Sequence, residues 1–249
     1  MADPMSASRF LQRLRAEGLT VVEVGDWADH NRNHVGPWGP VHGVMIHHTV
    51  TKGSAATVDI CRRGYAGLPG PLCHGVITKD GRVHLVGYGR ANHAGSGDDD
   101  VLRAVIAEKA LPSANEANKD GNRHFYGFEC ENLGDGKDPW PKAQLDAIAR
   151  VSAAICRHHG WDERSVIGHL EWQPGKVDPR GVTMASLRAR VKERLAPSVT
   201  YTVRAGDTLW SIAASKLGDG NRWREIASLN KLKDADAITP GQKLTLPKK

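Results

Sequence analysis

A short apolar run that ends in two adjacent histidines constrains this chain more than any other stretch. Residues 44–46 read Val-Met-Ile, and His47 and His48 follow directly. A run of this length with β-branched residues favours a buried strand over a helix. Histidines at such a strand end lie where open α/β sheets place their ligands, outside the carboxyl ends of the strands. Because successive strand residues point to opposite faces, either His47 or His48 can face a given site, but not both. The alternative is two strand-end histidines capped by backbone carbonyls.

The remaining pattern predicts strands that alternate with helices, which is typical of the α/β or mixed class. Apolar spacing and turn residues predict helices over 5–17, 57–64, 101–110, 142–158 and 183–195, and strands over 19–24, 44–46, 74–78, 83–86, 126–130 and 166–169. The Asp80-Gly81 pair predicts a hairpin turn. The Gly- and Pro-rich residues 67–71 and the residues after 169 are predicted to be loops.

A break at residues 196–198 separates a second, smaller unit. Residues 201–203 and 243–246 read as strands, with two helices predicted between them, one from Asp207-Thr208 and one over 222–229. We therefore predict a first domain over 1–196, with its core at about 20–195, and a βααβ domain over 199–249.

Composition excludes several classes of protein. The net charge is +6, and residues 199–249 hold nine Lys and Arg against five Asp and Glu. No Lys/Arg stripe is interleaved with aromatic residues, so a nucleic-acid partner is not expected. No apolar run is long enough for a membrane span. The first 18 residues lack the apolar core of a secretory signal, so we expect synthesis in the cytoplasm and release by other means.

The four cysteines show no CxxC spacing. Buried free thiols are the expected state of Cys61, Cys73, Cys130 and Cys156. The alternative for Cys61 and Cys73 is a disulfide bond between them, which the sequence neither establishes nor excludes.

The segment 166–179 supplies the remaining candidates for chemistry. His169 follows a predicted strand, and Lys176 and Asp178 lie in the loop beyond it. Together with His47, this segment offers two imidazoles and a carboxylate, the donor types of a catalytic zinc site. Local spacing such as HExxH does not occur, so spacing alone does not identify a site. Lys176 could equally be a solvated loop lysine, and Glu129 a strand-end carboxylate in a salt bridge.

From about residue 40 to 195 the sequence resembles the zinc-dependent N-acetylmuramoyl-L-alanine amidases, whose fold is shared with peptidoglycan recognition proteins and phage lysozyme-type amidases. The matching stretches are Ile46-His47-His48-Thr49, His74 to Thr78 with Asp80-Gly81, His93-Ala94-Gly95, Gly127-Phe128-Glu129, and Gly168-His169 through Lys176-Val177-Asp178-Pro179. The resemblance implies a mixed central sheet flanked by helices, with one Zn²⁺ in a groove at its edge.

Site residues carry over by position. The resemblance implies that His47, His169 and Asp178 are the zinc ligands, the last being Cys in some relatives. Glu129 matches a catalytic acid/base, and Lys176 matches a lysine that faces the reacting carbonyl. The other matched positions are His74 and His93, which line the groove in the family and would contact substrate or order the ligands, unless they are core histidines. His48 is expected to face away from the metal.

Three positions depart from the family pattern. Cys73 stands where some relatives have a tyrosine, so Glu129 must carry the proton-transfer role. Asn92 replaces a common tryptophan, and Arg180-Gly181 replaces Gly-Pro after Asp178-Pro179. These differences bear on which stem peptide is accepted more than on the reaction.

Residues 201–246 resemble a LysM domain, through YTVRAGDTLWSIA, IASLN and ITPGQKLTLP. Such domains bind glycans that contain N-acetylglucosamine. The resemblance implies glycan contacts from Gly206, Asp207, Thr208, Leu209, Ile238 and Pro240. Asp207 and Thr208 also read as the cap of the first helix.

Together these resemblances predict a monomeric peptidoglycan hydrolase. Zinc-activated water would cleave the amide between N-acetylmuramic acid and L-alanine, and the LysM domain would hold the enzyme on the bacterial wall. A phage endolysin made in the host cytoplasm is the favoured source. The alternatives are a non-catalytic wall receptor, a bacterial autolysin and a stem-peptide peptidase on the same scaffold.

Overall fold

The order of strands and helices follows the predicted alternation. The computed structural model describes residues 2–196, 199–232 and 234–247. The strands are β1 (Val21–Glu23), β2 (Gly43–His48), β3 (Gly64–Tyr65), β4 (Leu68–Pro69), β5 (Gly75–Ile77), β6 (Val83–Leu85), β7 (Ser96–Gly97), β8 (Lys119–Asp120), β9 (Phe125–Cys130), β10 (Val166–Gly168), β11 (Val199–Thr202) and β12 (Lys243–Leu246). The α-helices are α1 (Ala7–Ala16), α2 (Ser54–Arg63), α3 (Asp99–Ile106), α4 (Lys142–His159), α5 (His169–Trp172), α6 (Met184–Leu195), α7 (Leu209–Leu217) and α8 (Trp223–Leu229). The chain divides into two units, Met1–Leu195 and Ala196–Lys249.

Six strands of the first unit form one mixed sheet in the order β1-β6-β5-β9-β2-β10. β9 pairs in parallel with both β5 and β2, and β2 pairs in parallel with β10. β5 and β6 form the antiparallel hairpin that the Asp80-Gly81 turn predicts. The four parallel neighbours therefore end at the same edge of the sheet, where α/β proteins place their ligands.

Helices cover both faces of this sheet. α4 packs with α1 and α6 against one face, where Val44 and Ile46 contribute to the larger apolar core. α3 and α5 cover the other face, where Met45 and Phe125 pack with Trp172. Because alternate residues of a strand face opposite sides, His47 shares the α5 face with Met45.

The second unit is the predicted βααβ arrangement. β11 and β12 pair antiparallel, and α7 and α8 lie between them in the chain. The Thr208 hydroxyl accepts the backbone N–H of Ser211 at 3.0 Å, which caps α7. The unit has its own apolar core, built from Val203, Leu209, Ile212, Ala213, Leu217, Ile226, Leu244 and Leu246.

Two stretches that were predicted to be loops contain short regular elements. Within residues 67–71, β4 pairs with β3 across a turn that Gly67 makes at φ +86°. After His169 the chain forms the single-turn helix α5. The Glu171 carboxylate accepts the N–H of Gly168 at 3.1 Å and is held by Arg188 at 2.7 Å. This side-chain cap stabilises the start of a helix too short for a periodic sequence signal.

All four cysteines are buried and free, as predicted. Cys61 and Cys73 lie in one small apolar cluster with Val76 and Val86, but they are not bridged. Among the described residues, no helix has the length and apolarity needed to cross a membrane.

Candidate active site

Three parallel strands bring the candidate residues to one edge of the sheet. His47 near the end of β2 pairs in register with Glu129 near the end of β9. β10 ends at Gly168, so that His169 begins α5 at the same edge. Beyond α5 the chain folds back, and the carbonyl of Asp178 accepts the N–H of Leu170 at 2.8 Å. This return places the Asp178 carboxylate beside both histidines.

His47, His169 and Asp178 form a compact group of donor atoms. The two Nδ1 atoms are 3.1 Å apart, and Asp178 Oδ2 lies 3.0 Å from His47 Nδ1 and 3.2 Å from His169 Nδ1. Both histidines are buried, and Asp178 is 13% exposed. Two imidazole nitrogens and one carboxylate oxygen therefore converge from positions up to 131 residues apart.

This group fits a zinc ion. A tetrahedral zinc site with bonds of about 2.0–2.2 Å places neighbouring donor atoms about 3.3–3.6 Å apart, and the three observed separations of 3.0–3.2 Å are slightly shorter. Burial lowers the pKa of His47 to about 4, so its ring is neutral at pH 7 and can offer a lone pair. Burial opposes ionisation of Asp178, but the His169 and His47 rings beside its carboxylate lower its pKa below the usual range. The site thus offers the anionic carboxylate of Asp178 and the neutral ring of His47, beside the imidazole of His169.

Each of the two histidines has a further contact on its outer nitrogen. His93 Nδ1 lies 3.2 Å from His47 Nε2, and the carbonyl of Phe125 lies 3.3 Å from His93 Nε2. Gln173 Oε1 lies 3.2 Å from His169 Nε2. Gly127 on β9 makes room for the His93 ring, because a Cβ atom there would lie 2.4 Å from it.

Glu129 and Lys176 line the groove that opens over these donors. Glu129 Oε2 is buried and has no hydrogen-bond partner among the described residues. Burial, and secondarily the charge of Asp178, raises the pKa of Glu129 to about 8. A carboxyl group whose pKa lies near neutrality can both accept and donate a proton. Lys176 is exposed, lies two positions before Asp178 in the chain, and lines the same groove.

The groove has a volume of about 380 Å³, and apolar side chains form part of its lining. The larger ones are Val50, Ile60, Tyr65, Leu68, Leu72 and Val177. Ile60 lies on α2, and Tyr65 and Leu68 lie on the β3-β4 hairpin. The exposed Tyr65 presents an aromatic ring there.

The structure corrects the assignment of His74 as a groove residue. Its side chain is fully buried and stacks on Trp38. Its Nδ1 accepts the N–H of Gly127 at 2.9 Å, and its Nε2 donates to the carbonyl of Gly89 at 2.8 Å. Both ring nitrogens are therefore used in the core, and His74 cannot contact a substrate. By contrast, the largely buried His93 lies at the groove and contacts His47.

His48 and Gln173 complete the comparison with the sequence. His48 also lines the groove, but its Nδ1 accepts the backbone N–H of Arg180 at 3.0 Å, so this nitrogen is already used. Gln173 was not among the predicted residues. Its position four residues after His169 would have been the signal, but only if a helix had been predicted there.

In the second unit, the candidate glycan residues differ in accessibility. Gly206, Thr208 and Pro240 are exposed, and Ile238 is half-buried against the core. The side chain of Leu209 is 3% exposed in that core, so it offers little surface for an apolar contact with a glycan. Asp207 Oδ2 accepts from the Tyr201 hydroxyl and the Arg204 N–H, both at 2.7 Å.

Comparison with known proteins agrees with these two units. The profile of the family described as N-acetylmuramoyl-L-alanine amidase matches residues 37–181, and the profile of the LysM domain matches residues 201–247. Uncharacterized protein YqbP of Bacillus subtilis (strain 168) is 32% identical over 82 residues, which cover 28% of this chain and 37% of that protein. An uncharacterized protein of Deinococcus radiodurans is 36% identical over 75 residues, covering 27% and 30%. The chain thus spans about a third of the length of these curated relatives.

Two solved structures align with part of this chain. The endolysine N-acetylmuramoyl-L-alanine amidase LysCS from Clostridium intestinale URNW is 18% identical, with 69% of this chain and 94% of that chain covered and a TM-score of 0.44. A selenomethionine derivative of AmpD is also 18% identical with the same coverage and a TM-score of 0.49. Because the amidase profile spans more than half of the sequence, the chain belongs to the N-acetylmuramoyl-L-alanine amidase family and carries a C-terminal LysM domain.

Proposed function

We propose that this chain is a zinc-dependent peptidoglycan hydrolase that cleaves the amide between N-acetylmuramic acid and L-alanine. The observation that carries the proposal is the convergence of His47, His169 and Asp178 within 3.0–3.2 Å of one another, at the floor of a groove that Glu129 also lines. Family membership supports the same reaction class.

His47 Nδ1, His169 Nδ1 and one Asp178 oxygen would hold the zinc ion. Zinc bound there supplies Lewis acidity, which polarises the amide carbonyl and lowers the pKa of a water molecule. Glu129 would take the proton of the attacking water and pass it to the leaving nitrogen of L-alanine. The groove is partly enclosed, which strengthens each of these electrostatic contacts relative to open water.

Lys176 would stabilise the oxyanion of the tetrahedral intermediate. Replacing it by methionine keeps the length of the side chain and removes the charge. Loss of one oxyanion-stabilising group typically lowers kcat roughly 10²–10³-fold, and we expect a decrease of that order with little change in zinc content. Lys52→Met is the matched control, since Lys52 is exposed and is not among the groove-lining residues. Equal kcat for the two variants would remove Lys176 from the mechanism.

The test of the reaction is product identification on purified bacterial wall, with and without a chelator. We expect new N-terminal alanine, loss of turbidity and whole stem peptides separated from glycan, all abolished by chelation and restored by zinc. Fragments cut within the stem peptide would identify a peptidase instead. Wall binding without any new amino terminus would indicate a receptor.

We further propose that the LysM unit binds N-acetylglucosamine-containing glycan and concentrates the catalytic unit on the wall. Support comes from the profile match and from the exposed Gly206, Thr208 and Pro240.

The separate apolar cores of the two units predict the effect of truncation. Removal of residues 197–249 should weaken sedimentation with purified wall but leave the hydrolysis rate of a small soluble muropeptide unchanged. A matched loss of both properties would contradict independent roles for the units.

A chain that combines wall binding with wall hydrolysis suits an enzyme that acts on intact peptidoglycan from outside the cytoplasm. Host lysis by a phage endolysin, synthesised in the host cytoplasm and acting as a monomer, is the role we propose. Lysis of cells on controlled expression, with and without a membrane-permeabilising partner, tests this role, and size-exclusion chromatography tests the monomer.

A further inference from the structure

We infer that His93 and Gln173 are positioning residues that hold His47 and His169 with Nδ1 unprotonated and directed at the metal. The inference rests on the proposed function for the identity of the metal. It deepens that proposal by giving a role to two side chains outside the ligand set. Each contacts the outer nitrogen of a different histidine.

The contacts around His93 determine which nitrogen of His47 carries its proton. The Phe125 carbonyl lies 3.3 Å from His93 Nε2 and can only accept, so that nitrogen donates. In a neutral ring the other nitrogen, His93 Nδ1, is then an acceptor. It lies 3.2 Å from His47 Nε2, which must therefore donate. The lone pair of His47 is left on Nδ1, the atom that faces Asp178.

Gln173 acts on His169 in the same way through a separate part of the chain. Its backbone N–H donates to the His169 carbonyl at 3.1 Å, so Gln173 lies one helical turn after His169. Its amide oxygen lies 3.2 Å from His169 Nε2 and accepts the proton of that nitrogen. The lone pair of His169 is thereby also left on Nδ1.

These outer contacts matter because Asp178 competes with them. One Asp178 oxygen lies 3.0 Å and 3.2 Å from the two Nδ1 atoms. In the metal-free site it would accept a proton from either ring and so favour the tautomer that cannot bind metal. Outer acceptors shift the balance towards the Nε2–H tautomer, and groups of this kind change metal affinity by about 10–100-fold.

The experiment uses full-length protein labelled with ¹⁵N-histidine and loaded with zinc. Gln173→Leu and His93→Phe remove an acceptor at similar volume, whereas Gln173→Glu and His93→Asn retain one. NMR spectra report the ring Nε2–H signals of His47 and His169 and their exchange with solvent. Competition with a chromophoric chelator gives the zinc affinity.

We expect zinc affinity to fall about 10–100-fold in Gln173→Leu and His93→Phe and to be largely kept in the two acceptor-retaining variants. The His169 Nε2–H signal should exchange faster in Gln173→Leu, with that of His47 unchanged, and the reverse should hold in His93→Phe. Unchanged ring signals and zinc affinity in both variants would overturn the inference, and so would joint loss of both signals in each. Failure of the wild-type protein to bind zinc would instead overturn the proposed function.

Discussion

Replacing Glu129 by glutamine is expected to lower kcat for amide hydrolysis roughly 10²–10⁴-fold, the usual contribution of a general acid/base. Glutamine has nearly the shape of the carboxyl group but can neither take up nor release a proton. Zinc content and wall binding should stay at wild-type values, since Glu129 is outside the donor group and in the other unit from the LysM site. Steady-state kinetics on a soluble muropeptide, together with metal analysis, measure both effects.

The same variant should not lose stability. In the metal-free protein, burial raises the pKa of Glu129 to about 8, whereas the unfolded chain releases this proton near pH 4.5. Folding at pH 7 therefore takes up a proton, a cost that grows as the pH rises between these two values. Glutamine removes that cost, so the thermal midpoint at pH 7 should stay level or rise.

Glu193→Gln is the matched control for the Glu129 variant, because Glu193 is an exposed carboxylate on α6. It should keep wild-type kcat. Full activity in Glu129→Gln would refute the assigned role, and a large drop in its thermal midpoint would indicate that Glu129 is a structural residue.

The strands that build the site could be predicted because their signals are local. The run before His47 and the segments ending at Glu129 and Gly168 each combine β-branched or aromatic residues over a strand length. Periodicity also shows that His47 and His48 face opposite sides. To decide which of the two histidines faces the site, one must know which side of the sheet each face packs against, and the packing of Met45 with α5 and α3 shows this. From the sequence alone, only the family resemblance selects His47.

The parts that could not be predicted depend on contacts between distant residues. β9 lies between β5 and β2 in the sheet, and β10 lies on the other side of β2. The ends of β2, β9 and β10, which are far apart in the sequence, therefore lie next to one another. The depth of His74 follows from its stacking on Trp38 and its two backbone partners, none of which is a sequence neighbour. Gln173 was missed because α5 is one turn long and depends on a cap from Glu171 that Arg188 holds.

Removing the Asp178 side chain is expected to abolish both stoichiometric zinc binding and hydrolysis. In Asp178→Ala the two Nδ1 atoms lose the shared oxygen that lies 3.0 Å and 3.2 Å from them. Two imidazoles remain, one ligand fewer than the three that catalytic zinc sites use. The loop itself should keep its path, because it is the backbone carbonyl of Asp178 that binds Leu170.

Asp178→Cys separates loss of a ligand from damage to the loop. A thiolate is a good zinc ligand, so a cysteine at this position can take the place of the carboxylate. Elemental analysis after dialysis should therefore find about one zinc per chain in the wild type and in Asp178→Cys, but little in Asp178→Ala. Activity should follow the metal content, with some hydrolysis restored in the cysteine variant. If Asp178→Ala instead kept a full equivalent of zinc and wild-type activity, the metal would have to be bound elsewhere, because the three converging side chains could no longer account for it.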